Sequence, residues 1–377
     1  MAFKPTVETI GDAALATSII DRSITELQDS TAVTLQSYSL ASCSSLKKAV
    51  FSEVTEVLNH SFEGCEALET LDFYATVEFD ASALQGLSSL ETLILRSDTM
   101  CDASSSAVLS YTPIADGTGY IYVPAALVDS YKHDFVWGSY FDQIRAIEDY
   151  PLIANKYSWE AVQWSMDNGT YATDYAIGDT VPLDLGTEGV INMQIAAFDA
   201  DDLADGSGKA KISWVAKELL TTGHRMNPAR VQNDDGTYQE GTGSIGGWEK
   251  CEMRSYLKET IKPLIAETVA SRIATVTKTH SAYDTNGNFF TGQTTEDDVW
   301  LLGVDDGLIY GGIYGLLALG AEALKKYMVG SSYASNWWLR STTAGASTAF
   351  SAVLTSGETY GRAATKVNRI ALGFCTN

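Results

Sequence analysis

The sequence is poor in the residues that build covalent or metal-bound frameworks. It has five cysteines and four histidines in 377 residues, and no two cysteines form a CxxC pair. An odd number of scattered cysteines argues against a disulfide framework, and cysteine zinc ligands lack their usual spacing. The sequence contains no GxxxxGK[ST] phosphate loop, GxSxG elbow or HExxH motif. Isolated serines and histidines do not identify a catalytic triad without a structure.

Basic residues and long apolar runs are scarce as well. The chain has 25 Lys and Arg against 48 Asp and Glu, a net charge of −23. Nucleic-acid binding needs a basic surface, so we expect no nucleic-acid partner. No stretch reaches the roughly 18 apolar residues of a membrane span, and residues 308–320, which come closest, are expected to be a buried core segment. The N-terminus does not resemble a conventional signal peptide. We therefore expect a soluble protein with no membrane insertion, either retained in the cell or exported without a cleaved signal.

What the sequence does contain is a 22-residue period over residues 31–95. Each unit has a short alternating run, such as Leu71-Asp72-Phe73, which places the first and third side chains on one face of a strand. One unit cannot bury this face alone, so neighbouring units must stack. The apolar columns are Leu35, Val57 and Phe79; Leu40, Phe62 and Leu84; Cys43, Cys65 and Leu87; Leu46, Leu68 and Leu90; Ala49, Leu71 and Leu93; and Phe51, Phe73 and Leu95.

The repeat SFEGCEALETLDF resembles the BspA-type leucine-rich repeat, and ASCSSLKKAVF and ALQGLSSLETLIL fit it more loosely. The resemblance implies a solenoid over residues 28–150, in which the repeat cysteines are core residues. Residues 1–27 are predicted to form a capping or attachment helix, similar to the helix before such repeats in phage tail-associated proteins. Residues 119–149 predict a strand, a helix at 125–132 and a final strand that closes the solenoid. We expect the domain boundary between Tyr150 and Pro151.

Residues 151–377 have a different composition. The 22-residue period is gone, and seven of the eight tryptophans lie here. The pattern predicts an α+β domain with long polar, glycine-rich loops. The predicted strands are 191–198 and 352–355, and the predicted helices are 210–221, 251–260, 264–274 and 320–328.

The segment DADDLADGSGK at 199–209 is the one metal candidate. It carries the carboxylates of Asp199, Asp201, Asp202 and Asp205, and hard cations such as calcium prefer several oxygen ligands. It lacks the glutamate at the twelfth position of an EF-hand loop, and an acidic turn before a helix is the favoured interpretation. We expect no cofactor, with calcium at this loop as the alternative.

Several motifs of this second region occur in one order: YAIGDTVPLDLG (175–186), KELLTTGHRMNP (217–228), GWEKCEMRSYL (247–257), TTEDDVWLL (294–302) and WWLRS (337–341). Together they resemble a domain of gut bacteria and their phages that has the C-type-lectin-like fold of formylglycine-generating enzymes. Those enzymes bind copper through two closely placed thiols. Cys251 and Cys375 are the only candidates for such a pair, and each is flanked by predicted core residues. Catalysis is therefore not expected, and a formylglycine-generating-type oxidase is the less favoured alternative.

The C-terminal stretch, about residues 335–377, resembles the variable region of proteins diversified by retroelements. It has Trp-Trp-Leu-Arg at 337–340, a run of small polar residues and a closing Gly-Phe-Cys at 373–375. In that family, error-prone reverse transcription alters adenines, and the varied side chains point outward from a fixed core. Arg340 is expected to make a structural polar contact. The resemblance implies these ligand-binding residues: Thr342, Thr343, Gly345, Ser347, Thr348, Ser351, Thr355, Ser356, Thr359, Tyr360, Arg362, Thr365 and Asn368.

Charge also distinguishes this terminal region. Residues 331–377 hold four basic residues and one acidic residue, so we expect an electrically distinct face.

The resemblances together imply a non-enzymatic receptor-binding protein of a phage tail, located in the virion. Its expected partners are a bacterial surface protein or glycan and, through the N-terminus, other tail proteins. A homotrimer is expected because it gives avidity to a weak site. The alternative is a host-encoded adhesin of the same architecture on the bacterial cell surface.

Overall fold

The computed structural model describes residues 7–9, 23–306 and 324–377. The chain divides into two compact units, Met1–Lys156 and Tyr157–Asn377. The expected boundary between Tyr150 and Pro151 lies a few residues earlier, because Pro151 begins a short helix that belongs to the first unit. Arg96 of that unit donates a hydrogen bond of 2.7 Å to the carbonyl oxygen of Ile153 in this helix. The described residues combine helices and strands in an α+β chain.

The strands of the first unit pair in parallel. In the described residues they form one sheet with the order β1-β2-β4-β6-β8-β10-β11 and a second with the order β3-β5-β7-β9. The strands are β1 Val7–Thr9, β2 Glu26–Asp29, β3 Thr34–Leu35, β4 Lys48–Phe51, β5 Glu56–Val57, β6 Thr70–Phe73, β7 Glu78–Phe79, β8 Thr92–Leu95, β9 Asp102–Ala103, β10 Tyr120–Val123 and β11 Ile144–Ala146.

The 22-residue period sets the register between neighbouring strands of these sheets. Ala49 pairs with Leu71 and Leu71 pairs with Leu93, so one period moves the chain to the next strand. Every residue of the six apolar columns is buried. Phe51 and Phe73 stack with their ring centroids 5.3 Å apart. The repeating residues therefore form one continuous core in this unit.

The closing segment of the first unit follows the predicted order of strand, helix and strand. Helix α1 (Val128–His133) lies between β10 and β11, and α2 (Pro151–Asn155) follows. The backbone of Cys101 is fixed by two aromatic side chains of this segment. Its N–H donates to the hydroxyl oxygen of Tyr131 at 2.7 Å, and its carbonyl oxygen accepts from the indole of Trp137 at 2.8 Å.

The helix predicted over residues 1–27 is wrong at both of its described ends. Val7–Thr9 and Glu26–Asp29 are strands β1 and β2, which pair with each other in parallel. Leu27 is buried and pairs with Ala49, so β2 extends the repeat core by one strand. This pairing satisfies the backbone of β2 and overrides the helical spacing of the apolar residues. Residues 10–22 lie outside the described residues.

The second unit is built from antiparallel strands. Its described strands form a main sheet with the order β12-β13-β14-β22-β15, to which β18 adds by pairing with β22, a hairpin β16-β17, and a sheet β19-β20-β21. The elements are β12 Thr180–Asp184, β13 Val190–Phe198, β14 Ile212–Ala216, β15 Ile273–Ala274, β16 Val276–Tyr283, β17 Phe289–Asp297, β18 Val299–Leu301, β19 Trp337–Thr342, β20 Ala349–Val353, β21 Thr359–Ala363, β22 Leu372–Thr376, α3 Trp159–Asn168, α4 Tyr171–Asp174, α5 Glu252–Tyr256 and α6 Glu267–Ala270.

The helix predicted over 210–221 is a strand. All five residues of β14 are buried, and the strand lies between β13 and β22 in the main sheet. A central strand reads as a short continuous apolar run, which periodicity alone does not distinguish from a buried helix. The predicted strands at 191–198 and 352–355 overlap β13 and β20.

Of the remaining three helix predictions, the first is confirmed and the other two are wrong in part. The helix at 251–260 corresponds to α5 and the wide helical turn Leu257–Ile261 after it. The helix at 264–274 is wrong beyond the short α6, because Ile273–Ala274 is β15, which pairs with β22. At the end of the predicted helix 320–328, Tyr327 and Met328 form isolated β-bridges. The start of that helix and the predicted core segment 308–320 lie outside the described residues.

The closing Gly-Phe-Cys segment belongs to β22, at the centre of the main sheet. Gly373 lies against the indole ring of Trp300 so closely that an added Cβ would be 2.2 Å from a ring carbon. Phe374 and Cys375 are fully buried. The indole N–H of Trp214 donates to the Thr376 hydroxyl at 3.0 Å. Strand β22 is thus part of the core.

Candidate ligand-binding site

The first part of the candidate site is its frame, strand β19. All six of its residues are buried. The indole N–H of Trp337 donates to the carbonyl oxygen of Leu324 at 3.0 Å, and that of Trp338 donates to the carbonyl oxygen of His224 at 2.8 Å. Each tryptophan therefore buries a large apolar surface and satisfies its one donor.

Arg340 makes the structural contact predicted for it. Its guanidinium donates two hydrogen bonds of 2.6 Å to the two carboxylate oxygens of Asp306. It also donates to the carbonyl oxygens of Thr279 at 2.9 Å and Leu301 at 2.7 Å. Gly303 leaves room for this group, because a Cβ there would lie 2.8 Å from the guanidinium carbon. A planar fork of donors fits this buried carboxylate in a way that lysine does not.

The loop between β19 and β20 is held by its backbone. The hydroxyl of Tyr283 donates to the carbonyl oxygen of Thr343 at 3.0 Å and accepts from the backbone N–H of Ala346 at 2.7 Å. The backbone N–H of Ser244 donates to the carbonyl oxygen of Ser347 at 3.0 Å. These contacts do not use the side chains of the loop itself. Exchanges among those side chains therefore leave the loop's main supports in place.

A groove of about 350 Å³ opens on the face of the small sheet. Ser351 of β20 pairs with Gly361 of β21, so the two residues share a face, and Thr359 lies on the same face two residues away. The described lining residues are Ser281, Phe289, Thr291, Val304, Ser341, Thr342, Thr343, Ala344, Ser351, Thr359, Tyr360 and Gly361.

Five of the predicted ligand-binding residues meet in this groove, and the others do not line it. Gly345, Ser347 and Thr348 lie in the loop before β20, where an Arg230 guanidinium N–H donates to the hydroxyl of Ser347. The exposed Thr355 and Ser356 lie in the turn between β20 and β21, away from the described lining. The residues in the groove are Thr342, Thr343, Ser351, Thr359 and Tyr360. The rest are Arg362 in β21 and Thr365 and Asn368 after it.

Two predicted exposed residues, Thr342 and Asn368, are buried. The backbone N–H and the hydroxyl of Thr342 both donate to the Ser281 hydroxyl, at 3.1 and 3.0 Å. The backbone of Asn368 forms a β-bridge with His224. These contacts with the rest of the unit bury the side chains of both residues. The prediction that they belong to the exposed set is wrong.

The predicted positive face is also wrong in part. The charge of Arg340 is buried against Asp306 and does not reach the surface. Arg369 donates to the carbonyl oxygen of Thr221, which ties its guanidinium to the loop after β14. Lys366 is exposed and Arg362 is half-buried. No charged residue is found among the described residues that line the groove.

Of the groove residues that the sequence analysis missed, Ser341, Ala344 and Gly361 lie in the C-terminal region and four come from outside it. Ser281 lies in β16, Phe289 and Thr291 lie in β17, and Val304 follows β18. Phe289 is 39% exposed in a strand whose other residues are mostly polar. The sequence signal for this hairpin is Asn286-Gly287 between β16 and β17, since Asn-Gly is a typical hairpin turn. His280, behind the groove, is buried, and burial lowers its pKa.

The two cysteines considered for copper chemistry lie in separate buried surroundings. The thiol of Cys251 contacts the carbonyl oxygen of Met226 at 3.0 Å, and burial raises its pKa to about 12. The thiol of Cys375 lies 3.2 Å from a carboxylate oxygen of Asp201, and burial raises its pKa as well. Both groups are therefore protonated thiols near neutral pH, and the thiolate is the form that binds metals or attacks substrates.

The four carboxylates of residues 199–205 face different partners. Asp199 accepts from the hydroxyl of Tyr171 at 2.8 Å, and Asp202 pairs with Lys209 at 2.7 Å. Asp205 accepts from the backbone of Ser207 at 2.9 Å, as in an acidic turn. Asp201 is buried with Lys278, their charged groups 2.5 Å apart. Across residues 23–306 and 324–377, no three His, Cys, Asp or Glu side chains converge as a metal site.

Comparison with known proteins adds one match. A family model described as a domain of unknown function, DUF6273, matches residues 219–371. This range contains every described residue that lines the groove. A search of curated proteins found no match. In the part of the chain that the structure describes, no helix has the length and apolar content needed to cross a bilayer.

Proposed function

We propose that this chain is a non-enzymatic receptor-binding protein that displays an exchangeable surface on a C-type-lectin-like domain. The N-terminal unit is a leucine-rich-repeat solenoid that attaches the protein to other tail proteins or spaces it from them. The C-terminal unit recognises a bacterial surface protein or glycan. The setting that we propose is a phage tail, with the protein in the virion. The variable segment is residues 335–377, whose sequence pattern resembles that of retroelement-diversified proteins.

One observation carries this proposal. The loop of residues 343–348 and the sheet β19-β20-β21 are held by buried residues and backbone hydrogen bonds, while most of the predicted variable side chains are at least partly exposed. Exposed side chains can then change at little cost in stability, because the frame does not depend on them. This separation of frame and surface is what a diversifiable binding site requires.

The surroundings of the thiols favour binding over oxidase chemistry. Cys251 and Cys375 are both fully buried, and burial raises the pKa of each. Thiol-dependent turnover that Cys251→Ser or Cys375→Ser abolishes would contradict the binding proposal.

The neighbouring DNA tests the diversification. We expect a near-copy of the coding region for residues 335–377, differing mostly at adenines, beside a reverse transcriptase gene. If sequencing finds no such copy, the domain is a fixed lectin-like module, and this part of the proposal is wrong.

The location is tested with purified virions. Detection of the chain by mass spectrometry in phage particles, together with tail genes beside its own gene, supports the tail assignment. Detection on the bacterial cell surface and absence from particles supports the adhesin instead.

A further inference from the structure

We propose that the groove on the β19-β20-β21 sheet binds a neutral glycan, with Phe289 as a stacking surface and unengaged hydroxyl groups as hydrogen-bonding partners. The inference rests on the proposed function and names the ligand class of that surface. Its basis is the chemistry of the groove lining.

Most hydroxyl groups of the groove fall into two sets. The first set is used inside the protein. Ser341 accepts from the backbone of Val304 at 2.9 Å, and Thr342 donates to Ser281 at 3.0 Å. The second set makes no side-chain hydrogen bond to any described residue, which leaves its donors and acceptors available to a ligand. It consists of Thr291, Ser351 and Thr359, and the hydroxyl groups of Thr343 and Tyr360 belong to neither set.

Thr343 forms the floor of the groove and does not belong to the second set. Its side chain lies over Gly361, where an added Cβ would be 2.7 Å from the Thr343 methyl carbon. Its hydroxyl oxygen is buried, so a ligand in the groove does not reach it.

One aromatic residue is exposed at the groove surface. Phe289 is 39% exposed and lies on the same face of β17 as Thr291, two residues away. Tyr360 lies between Thr359 and Gly361, so its side chain points to the opposite face of β21. A sugar ring has an apolar face of C–H groups and an edge of hydroxyl groups. Flat aromatic faces suit the first, and side-chain hydroxyl groups suit the second.

Charge and size select between ligand classes. The described groove lining has no charged residue, and the chain carries a net charge of −23. An anionic ligand would lose water here without gaining a counter-charge. A volume of about 350 Å³ matches a small-ligand pocket, whereas a protein partner covers a patch of about 800 Å² on each side. These features favour a neutral sugar over an acidic glycan or a protein segment.

The test is binding of the full-length chain to a glycan array that holds neutral and acidic glycans, followed by calorimetry with the best neutral oligosaccharide. We expect binding to neutral glycans. Phe289→Ala should weaken it about tenfold, which corresponds to the loss of one aromatic stacking surface. Phe289→Tyr should retain most of it, since the ring remains. Thr359→Val and Ser351→Ala should weaken it about three- to tenfold, because each removes one hydrogen bond.

The chain offers matched controls. Tyr333 is 80% exposed and lies outside the groove lining, so Tyr333→Ala should bind as the wild type does. Ser356→Ala is the same control for Ser351→Ala. Binding to acidic glycans alone, no binding to any neutral glycan, or equal effects of Phe289→Ala and Tyr333→Ala would overturn the inference.

Cell binding separates this inference from the proposed function. The wild type and Phe289→Ala are compared on a panel of bacterial isolates treated with periodate, which destroys sugar rings, or with protease. Loss of binding after periodate supports the glycan. Loss after protease alone, with Phe289→Ala still impaired, overturns the glycan and leaves a receptor-binding function with a protein target. If multiple substitutions across the exposed set leave cell binding unchanged, the proposed function itself fails.

Discussion

At the scale of single residues, the C-terminal region contains two kinds of side chain that look alike in sequence. Arg340 and Arg362 are both arginines of the predicted variable region, yet the first is buried in a bidentate pair and the second is half-buried. Thr342 and Thr343 are neighbours, yet one hydroxyl is engaged and the other is not. A contact from β16 makes the difference, because Ser281 engages the hydroxyl of Thr342. The sequence shows the residue types, but it did not predict which of these side chains are buried or engaged.

The first prediction concerns the Arg340–Asp306 pair. Arg340→Met should lower the free energy of unfolding by about 3–5 kcal/mol, because it leaves a buried carboxylate without its partner. Arg340→Lys should also destabilise the fold, since an ammonium group does not reproduce the bidentate geometry. Denaturant unfolding measures both. Arg225→Ala, which removes an exposed pair with Glu252, is the control and should have little effect; equal losses would contradict the role of Arg340.

The second prediction concerns Lys326, whose ammonium donates to the carbonyl oxygen of Ala216 at 2.6 Å. Burial lowers its pKa to about 8, from 10.5 for an ordinary lysine. Below about pH 8 the native and unfolded states are both protonated. Above it the unfolded state binds more protons, so the free energy of unfolding should rise with pH up to about 10.5.

Denaturant unfolding at several pH values between 7.5 and 9.5 checks this expectation. Lys326→Met should lack the rise that the wild type shows. Parallel pH profiles of the two proteins would show that Lys326 does not titrate in this window.

At the scale of elements, the strands of the repeat were predictable and the central strand of the second unit was not. Leu71, Leu93 and their equivalents recur at a fixed period, and a period specifies register directly. In contrast, β14 is apolar at nearly every position, because both of its faces are covered. Such a run has no periodicity from which to read its conformation. The long-range pairing with β13 and β22 decided it.

The third prediction concerns the loop of residues 343–348. Tyr283→Phe removes the hydroxyl that bonds the Thr343 carbonyl and the Ala346 N–H. Hydrogen exchange at Ala346 should become faster, because that donor loses its partner. Tyr238→Phe is the matched control, since the Tyr238 hydroxyl makes no side-chain hydrogen bond to a described residue. An unchanged exchange rate at Ala346 would show that other contacts hold the loop.

The fourth prediction concerns the acidic turn at residues 199–205. Its carboxylates face Tyr171, Lys278, Lys209 and the backbone of Ser207. We expect millimolar calcium to leave the melting temperature at its value in EDTA, because ion binding would require these contacts to rearrange. A calcium-dependent rise that Asp205→Ala abolishes would instead place a calcium site in this turn.

At the scale of the whole molecule, binding strength and assembly are linked. A single uncharged groove of about 350 Å³ offers a small contact surface, and small neutral ligands bind such surfaces weakly. Several copies presented together convert weak sites into firm attachment. The final prediction is therefore a homotrimer. Light scattering of the full-length chain should give three times the mass of one chain, and a monomer at micromolar concentration would contradict this expectation.

The sequence by itself determined the cores. Apolar columns at a fixed period specify which side chains are buried in the first unit. The tryptophans of β19 and the Gly-Phe-Cys segment of β22 likewise mark the frame of the second, because large apolar groups leave water wherever the fold allows. The tertiary structure alone decided the groove. Its lining combines β16, β17 and the segment after β18 with the C-terminal sheet. Small polar residues carry no strong burial preference, so only the packing of distant strands determines which of their hydroxyl groups are used internally and which face a ligand.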